Sequence, residues 1–287
     1  MRVTKVFKYT SILTLFALLA GGFLPSVFGS NVVVSPTNLN GWVSFQEGST
    51  STATFNFVTG PGTPPLGAGS AHMTLAATTD AMTLALAGNA PTLPTNLDGL
   101  PLSSLTSLQY YTYEASTSSS TVQAISLQFV VAYNLPCSSS CTYQGRIVFE
   151  PYLTGATVSK GVWQAWNPMS GAGWWTTAPT VCTQATPCTW AQLLADFPNI
   201  GVNPNPLYGA VILKAGSGWP AGFDGNVDAL TIGVGTSGST TYDFEPATTG
   251  TGVPQFPFGL IAIIAIGVPA LIVLKGKYAK VTPSLTN

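Results

Sequence analysis

The amino-acid sequence predicts an all-β domain, built as an antiparallel β-sandwich with one short helix, and a C-terminal transmembrane helix. Short runs in which apolar and polar residues alternate, such as Ile125 to Tyr133, are typical of strands with one buried face. Gly- and Pro-rich turns separate these runs. An uncharged apolar run from Phe258 to Leu274 follows them and indicates a membrane span.

Residues 1–29 have the pattern of a secretory signal peptide. Arg2, Lys5 and Lys8 give a basic start, and the apolar run from Ser11 to Leu24 follows. Small residues before residue 30 predict cleavage after Gly29, with Ser30 as the alternative. An uncleaved N-terminal anchor is the other interpretation, and it also places the middle of the chain outside the cell.

The C-terminal run at 258–274 is predicted to span the membrane once. At about 1.5 Å per residue it covers about 26 Å, close to the ~30 Å of a hydrocarbon core. Lys275, Lys277 and Lys280 follow, and basic residues beside a span favour the cytoplasmic side. We therefore expect an extracellular domain at 30–247, a linker at 248–257 and a cytoplasmic tail at 275–287. A buried core helix is the alternative, but the run shows no amphipathic face.

The predicted extracellular domain is acidic and poor in charge. It contains three basic residues, Arg146, Lys160 and Lys214, and all ten acidic residues, which gives a formal net charge of −7. Nucleic acids are bound mainly by Lys and Arg that neutralise phosphates, so a nucleic-acid partner is not expected. The expected partners are the membrane and either glycans or other envelope proteins.

The pattern of residues places most strands and one helix. A Gly- and Pro-rich stretch at 60–69 is predicted to be a loop. Thr189 and Gln192 form a capping-box pattern, and Pro198 ends the helix that follows. The predicted strands are 31–34, 41–45, 52–58, 71–75, 81–86, 105–113, 122–133, 146–150, 208–215, 227–234 and 242–244.

The four cysteines form two close pairs in a domain that is expected to lie outside the cytoplasm. The simplest prediction is two local disulfides, Cys137–Cys141 and Cys182–Cys188. Each closes a small loop and stabilises the fold by about 2 kcal/mol, less any strain. A zinc site made of four thiolates is the alternative, although its spacing would be unusual.

Several short motifs recur together in secreted proteins. They are Gly41-Trp42, the loop at 60–70, Tyr110-Tyr-Thr-Tyr113, Gly218-Trp219, Phe223-Asp-Gly-Asn-Val-Asp-Ala-Leu-Thr-Ile-Gly233 and Tyr242-Asp-Phe-Glu-Pro246. Over residues 38–246 the chain resembles jelly-roll domains of microbial surface proteins, similar in build to carbohydrate-binding and galactose-binding-like modules. The resemblance implies a jelly-roll-like β-sandwich.

The C-terminal segment carries a second resemblance. Val253-Pro-Gln-Phe-Pro-Phe-Gly259, then the apolar run and lysines, resembles archaeal surface-protein tails of the Pro-Glu-Phe sorting type. Gln255 stands where that pattern has Glu, which puts processing by a sorting enzyme in doubt. Together the two resemblances imply an archaeal cell-surface protein.

The candidate ligand-binding residues are four closely spaced tryptophans, Trp163, Trp166, Trp174 and Trp175. Exposed indole rings stack on the C–H faces of sugars, and polar neighbours bind hydroxyl groups. The alternative is that these tryptophans fill one end of the sandwich, with their N–H groups bonded to loop carbonyls.

The candidate metal site is acidic and consists of Glu47, Asp228, Asp243 and Glu245. First and last strands often pair in jelly rolls, so Glu47 is expected to approach Asp243 or Glu245. Carboxylate oxygens suit Ca²⁺, which makes calcium the candidate cofactor. The alternative is that these are solvated charges at strand ends or turn caps.

We do not expect an enzyme. His72 is the single histidine, which excludes a histidine-based metal cluster, and no hydrolase or phosphate-loop motif occurs. The predicted function is a non-catalytic, membrane-anchored cell-surface module that binds glycans or envelope partners. A structural envelope component without a small ligand is one alternative. A glycan hydrolase is another, since two facing carboxylates suffice for that reaction, although no spacing singles out a pair.

Overall fold

The computed structural model describes residues 29–137, 141–178 and 180–247. Within them the chain forms two β-sheets, one short α-helix, α1 (Trp190–Asp196), and two short 3₁₀ turns, Leu102–Ser104 and Pro151–Thr154. The strands are β1 (Ser30–Val34), β2 (Trp42–Gln46), β3 (Thr54–Thr59), β4 (Gly69–Leu75), β5 (Ala81–Leu86), β6 (Leu105–Glu114), β7 (Ser126–Ala132), β8 (Arg146–Phe149), β9 (Trp163–Trp166), β10 (Ala172–Thr176), β11 (Cys188–Thr189), β12 (Gly201–Val202), β13 (Val211–Gly216), β14 (Phe223–Val234) and β15 (Gly238–Phe244).

The first sheet is built around the long strand β14. One edge of β14 pairs with β6, and β6 pairs in turn with β9. The other edge pairs with β4 and then with β15, so these two strands lie one after the other along β14. The register shifts between Asp228 and Thr231, where Ala229 has a left-handed φ of 52°. β3 and β1 complete the sheet, and β1 is parallel to β15.

The second sheet has eight strands, in the order β11-β10-β8-β7-β13-β5-β2, with β12 paired to β7. Its described strand pairings are antiparallel. β2 forms one edge and β11 the other, so the middle of the sheet consists of β8, β7 and β13.

The two sheets pack face to face around one hydrophobic core. Trp42 of β2 meets Tyr242 and Phe244 of β15 edge-on, with ring centroids 5.3 Å apart in both pairs. Tyr110 of β6 meets Phe149, at the end of β8, across the same interface at 6.3 Å. Each large side chain that is removed from water here stabilises the fold by roughly 1.5–3 kcal/mol. The predicted β-sandwich is therefore confirmed.

Local sequence signals locate several elements correctly. The predicted strand 81–86 coincides with β5. The predicted capping box is present, because Thr189 Oγ1 accepts from the Gln192 N–H at 3.1 Å and Gln192 Oε1 accepts from the Thr189 N–H at 2.9 Å. The sequence analysis did not predict β9 and β10, the two strands that carry the tryptophan cluster.

Both predicted disulfides are present. The Cα atoms of Cys137 and Cys141 are 5.6 Å apart, and those of Cys182 and Cys188 are 5.2 Å apart. These bonds use all four cysteines of the chain, which rules out the alternative of a four-thiolate zinc site.

The predicted signal peptide, linker, transmembrane helix and cytoplasmic tail lie outside the described residues, and their boundaries stay predictions. Across 29–137, 141–178 and 180–247, no helix is long and apolar enough to span a membrane.

Candidate functional site

A concave groove crosses the outer face of the eight-stranded sheet. Side chains alternate between the two faces of a strand, so the neighbours of core residues point outward. On β7, Leu127 and Phe129 are in the core, which places Ser126 and Gln128 on the outer face. On β13, Lys214 lies between the core residues Leu213 and Ala215 and faces outward for the same reason.

The groove contains a cavity of about 510 Å³. β7, β8 and β13 form its floor, β10 and the Pro151–Thr154 turn form one wall, and the loop after β13 forms the other. The lining is mostly polar with four aromatic side chains, and consists of Gln123, Ser126, Gln128, Tyr143, Arg146, Val148, Glu150, Tyr152, Trp175, Thr177, Gln184, Lys214, Gly216, Ser217, Gly218 and Trp219.

Glu150 organises the first wall. Its Oε2 atom accepts hydrogen bonds from Trp175 Nε1 at 3.0 Å, Gln184 Nε2 at 2.8 Å and the Tyr152 hydroxyl at 3.3 Å. The carboxylate is buried, while the Trp175 and Tyr152 rings remain half-exposed. Both rings are therefore held in fixed positions on a polar wall, an arrangement that suits stacking on a sugar ring.

Glu47 organises the floor at the opposite end. Its Oε1 atom accepts from Arg146 Nη1 at 3.0 Å and from the Thr83 hydroxyl at 2.9 Å, and its Oε2 atom accepts from Lys214 Nζ at 2.5 Å. Burial opposes ionisation of Glu47, but the hydrogen bond and charge of Lys214 and the charge of Arg146 outweigh it, so the pKa of this carboxyl is lowered. We call Glu47, Arg146 and Lys214 the floor triad.

The groove continues past the floor triad. An adjoining cavity of about 370 Å³ shares Tyr143 and Arg146 with the first one. It leads to an apolar cleft of about 500 Å³ beside β2, which shares Phe45 and Tyr208 with the second cavity. Three neighbouring recesses therefore follow one another along the same sheet, from a polar, aromatic end to an apolar end.

The four predicted tryptophans do not form one patch. Trp174 and Trp166 are buried in the core, with their N–H groups donating to Pro168 O at 2.6 Å and to Thr112 Oγ1 at 2.7 Å. The positions of these two residues match the alternative interpretation, in which the rings fill the interior of the sandwich. Trp175 lines the groove.

Trp163 lies on the opposite sheet. It is half-exposed, and its N–H donates to the carbonyl of Pro61 at 2.8 Å. Its ring lies 5.6 Å from that of Tyr113, in a cross-strand row that continues through Asn226 to His72. The sequence cluster is thus divided between the outer faces of two sheets and the core between them.

The predicted metal ligands are only partly brought together. β1, not β2, pairs with the last strand, so Glu47 lies at the end of a strand in the other sheet and is held by Arg146 and Lys214. The expectation that Glu47 approaches Asp243 or Glu245 is therefore wrong.

Asp228, Asp243 and Glu245 do lie near one another, beside the loop 60–69. Asp228 accepts from the N–H groups of Phe244 at 3.0 Å and Leu66 at 3.2 Å, and Glu245 Oε1 accepts from that of Ala68 at 2.6 Å.

Burial strongly affects the pKa of two of these acids. It raises the pKa of Asp228 to about 7. It also raises that of Asp243, with a further contribution from neighbouring Glu245. Among the described residues, the three carboxylates do not bring one oxygen each to within 4.8 Å of one another. The hydrogen bonds of Asp228 and Glu245 hold the loop, and calcium binding by this cluster stays a prediction.

His72 is engaged in a hydrogen bond at the sheet surface. Its Nε2 atom lies 2.7 Å from Asp224 Oδ1, on neighbouring strands β4 and β14. Neither residue lines the groove described above. Chemistry in the groove would thus depend on its carboxylates and not on the histidine.

Sequence analysis missed most of the groove: Arg146, Lys214, Glu150 and Tyr152 were not singled out. One signal was available. In a domain with three basic residues, two of them fall inside or at the start of predicted strands, 146–150 and 208–215, and a cation in a strand needs a local partner.

The chain matches no family model, and no curated protein and no solved structure is significantly similar to it.

Proposed function

We propose that this protein is a membrane-anchored cell-surface module that binds glycans through the groove on its eight-stranded sheet, and that its sandwich is of the jelly-roll type. The observation that carries the proposal is the wall made by Trp175 and Tyr152. Two half-exposed aromatic rings are fixed by one buried carboxylate above a polar floor. Aromatic faces stack on sugar rings, and amide and hydroxyl groups around them bind sugar hydroxyls.

The groove favours a chain over a single sugar unit. Because adjoining recesses share Tyr143 and Arg146, a linear ligand can extend from the aromatic wall across the floor triad.

The role is binding without catalysis. Glu150 receives three hydrogen bonds on one oxygen, and Glu47 is held by two cations, so both carboxylates serve to position the groups around them.

A comparison of two tryptophans tests the proposal. Trp175→Ala removes a ring from the groove, whereas Trp163→Ala removes an equally half-exposed ring from the opposite sheet. With the full-length chain in detergent on a glycan array, we expect Trp175→Ala to weaken binding of the retained glycans by about tenfold or more. Trp163→Ala should leave binding unchanged. Equal loss in both variants, or unchanged binding by Trp175→Ala, would contradict the assignment.

The apolar cleft favours the second candidate function, a structural role in the envelope. Val43, Leu207 and Tyr208 are large apolar residues that are exposed beside β2, which is an edge strand. Such patches commonly mark protein contacts. If Leu207→Ser abolishes cross-linking to neighbouring envelope proteins on intact cells while glycan binding persists, the cleft serves assembly and the groove serves recognition.

A further inference from the structure

The basic residues of the domain have an unusual distribution. Residues 30–247 contain only Arg146, Lys160 and Lys214 as cations. Two of the three lie side by side on the floor of one groove, where Arg146 is 7% exposed and Lys214 is 8% exposed. Burying a charge is costly unless it is paired, so this placement requires a reason in the structure or in a ligand.

The protein compensates these two cations only in part. Within the part of the chain that the structure describes, Glu47 is the one carboxylate that bonds to both of them, which leaves the floor triad with a formal charge of +1. Glu150 follows four residues after Arg146 along the same strand, about 13 Å away at ~3.3 Å per residue. Among the described residues no ion pair joins Glu150 to either cation, and Glu150 already accepts the hydrogen bonds of its own wall.

The guanidinium of Arg146 also has an unsatisfied side. Its hydrogen bonds to Glu47 and Gln128 both use Nη1. The Nε atom is buried and has no hydrogen-bond partner among the described residues. The opposite face of the group lies 5.3 Å from the centroid of the Tyr208 ring, which fixes its orientation. An oriented guanidinium with an unpaired donor is suited to a planar, negatively charged acceptor.

We propose that the glycan bound in this groove is acidic, and that the floor triad is the subsite for its anionic group, a carboxylate or a sulfate. This inference rests on the proposed glycan-binding function and specifies its ligand class. A sugar ring stacks on Trp175, and the anionic group of a neighbouring unit lies over Arg146 and Lys214. Residues 30–247 have a formal net charge of −7 and only one cation outside the triad, Lys160, so the triad also fixes the position of such a chain.

The test uses matched ligands and matched variants of the full-length chain in detergent. The ligands are galacturonic acid oligomers, their methyl esters of equal length, and sulfated galactose oligomers. Affinity for an acidic ligand should exceed affinity for the neutral ester by about tenfold, since one charge-assisted contact is lost. Raising NaCl from about 50 to about 500 mM should reduce the difference, because salt screens charges. Preference for galacturonate over the sulfated oligomer would identify the carboxylate as the group, and the reverse preference the sulfate.

Lys214→Met should abolish the preference for acidic ligands. Lys160→Met is the control: it removes the same charge from an exposed residue, bonded to Ser118 O, that does not line the groove. Trp175→Ala should lower the affinity for acidic and neutral ligands by the same factor. Equal binding of acid and ester by the wild-type chain, in any salt, would overturn the acidic subsite and leave glycan binding intact. Failure to bind any of these ligands, together with no retention of any glycan on the array, would overturn both proposals.

Discussion

The protonation of Glu114 should make the folded domain more stable at mildly acidic pH than at alkaline pH. Glu114 is the last residue of β6 and is 3% exposed. Neither carboxylate oxygen has a partner in hydrogen-bonding geometry among the described residues, although the Ser118 hydroxyl and Lys160 favour the ionised form. Burial is the larger effect, with a smaller contribution from the charge of Asp224, and raises the pKa of Glu114 to about 7.

The sign and size of the effect follow from the difference in proton binding. A carboxyl whose pKa is higher in the folded state, about 7 against 4.5, binds more protons when folded. The stabilising contribution of the buried, protonated carboxyl to the folded state is fully present below the unfolded pKa. It is lost as pH rises through the folded pKa. Between pH 5 and pH 8, Glu114 alone should therefore reduce the free energy of unfolding by about 2.5 kcal/mol, at 1.36 kcal/mol per pKa unit.

Urea unfolding of the full-length chain at both pH values measures this directly. Glu114→Gln keeps the shape of the side chain and cannot ionise. The variant protein should therefore be more stable than the wild type at pH 8 by roughly 2 kcal/mol, and the two proteins should have similar free energies of unfolding at pH 5. Asp196→Asn, at the exposed end of α1, is the control and should change little at either pH. If Glu114→Gln has the same pH dependence as the wild type, the carboxylate is ionised in the folded protein and the reasoning fails.

Four further predictions can be tested on the same material. Below pH 4, the free energy of unfolding should fall as Asp80 protonates. Hydrogen bonds from Thr52, Ala76 and Ala77 lower the pKa of Asp80 to about 2, and their stabilising contribution is lost as pH falls through that value. Acid titration followed by circular dichroism measures this loss. In urea unfolding, Trp174→Ala should lower the free energy of unfolding by about 3–5 kcal/mol, whereas Trp175→Ala should lower it much less because its ring is half-exposed. Similar losses of stability in the two variants would contradict the division of these residues between core and groove. Calcium should raise the melting temperature if Asp243 and Glu245 bind it, and Asp243→Asn should remove that shift; an unchanged wild-type melting temperature would refute the prediction. Protease added to intact cells should degrade the domain and spare the tail at 275–287, and the opposite result would reverse the predicted topology.

Most strands and the helix could be predicted because their signals are local. β5 is a run of apolar residues between turns, and α1 begins at a capping box whose two bonds join residues three apart. The close cysteine pairs are of the same kind, since a disulfide between Cys182 and Cys188 needs only a tight loop.

The groove could not be predicted because its contacts are remote in sequence. Glu47 meets Arg146 across 99 residues and Lys214 across 167. The wrong prediction for Glu47 shows the difficulty. Pairing of first and last strands was expected, and β1 does pair with β15, but Glu47 lies in the other sheet because β2 crosses to pair with β5. Glu47 therefore lies beside Arg146 and Lys214 and not beside Asp243 and Glu245, because the chain crosses to the other sheet at β2. No local sequence pattern indicates this crossover.

The division of the tryptophans has the same cause and gives the two sheets different outer faces. β9 and β10 are close in sequence, yet they belong to opposite sheets. On the seven-stranded side, Trp163 and Glu245 bond to the backbone of the loop 60–69 and hold it against the sheet. On the eight-stranded side, Trp175 bonds to a side chain, Glu150, and its ring borders an open cavity. One indole therefore stabilises a loop over its sheet, while the other is held in place with its ring accessible. Because a recognition surface needs rigid groups that are not already covered, the eight-stranded face is the one on which ligand binding should be sought.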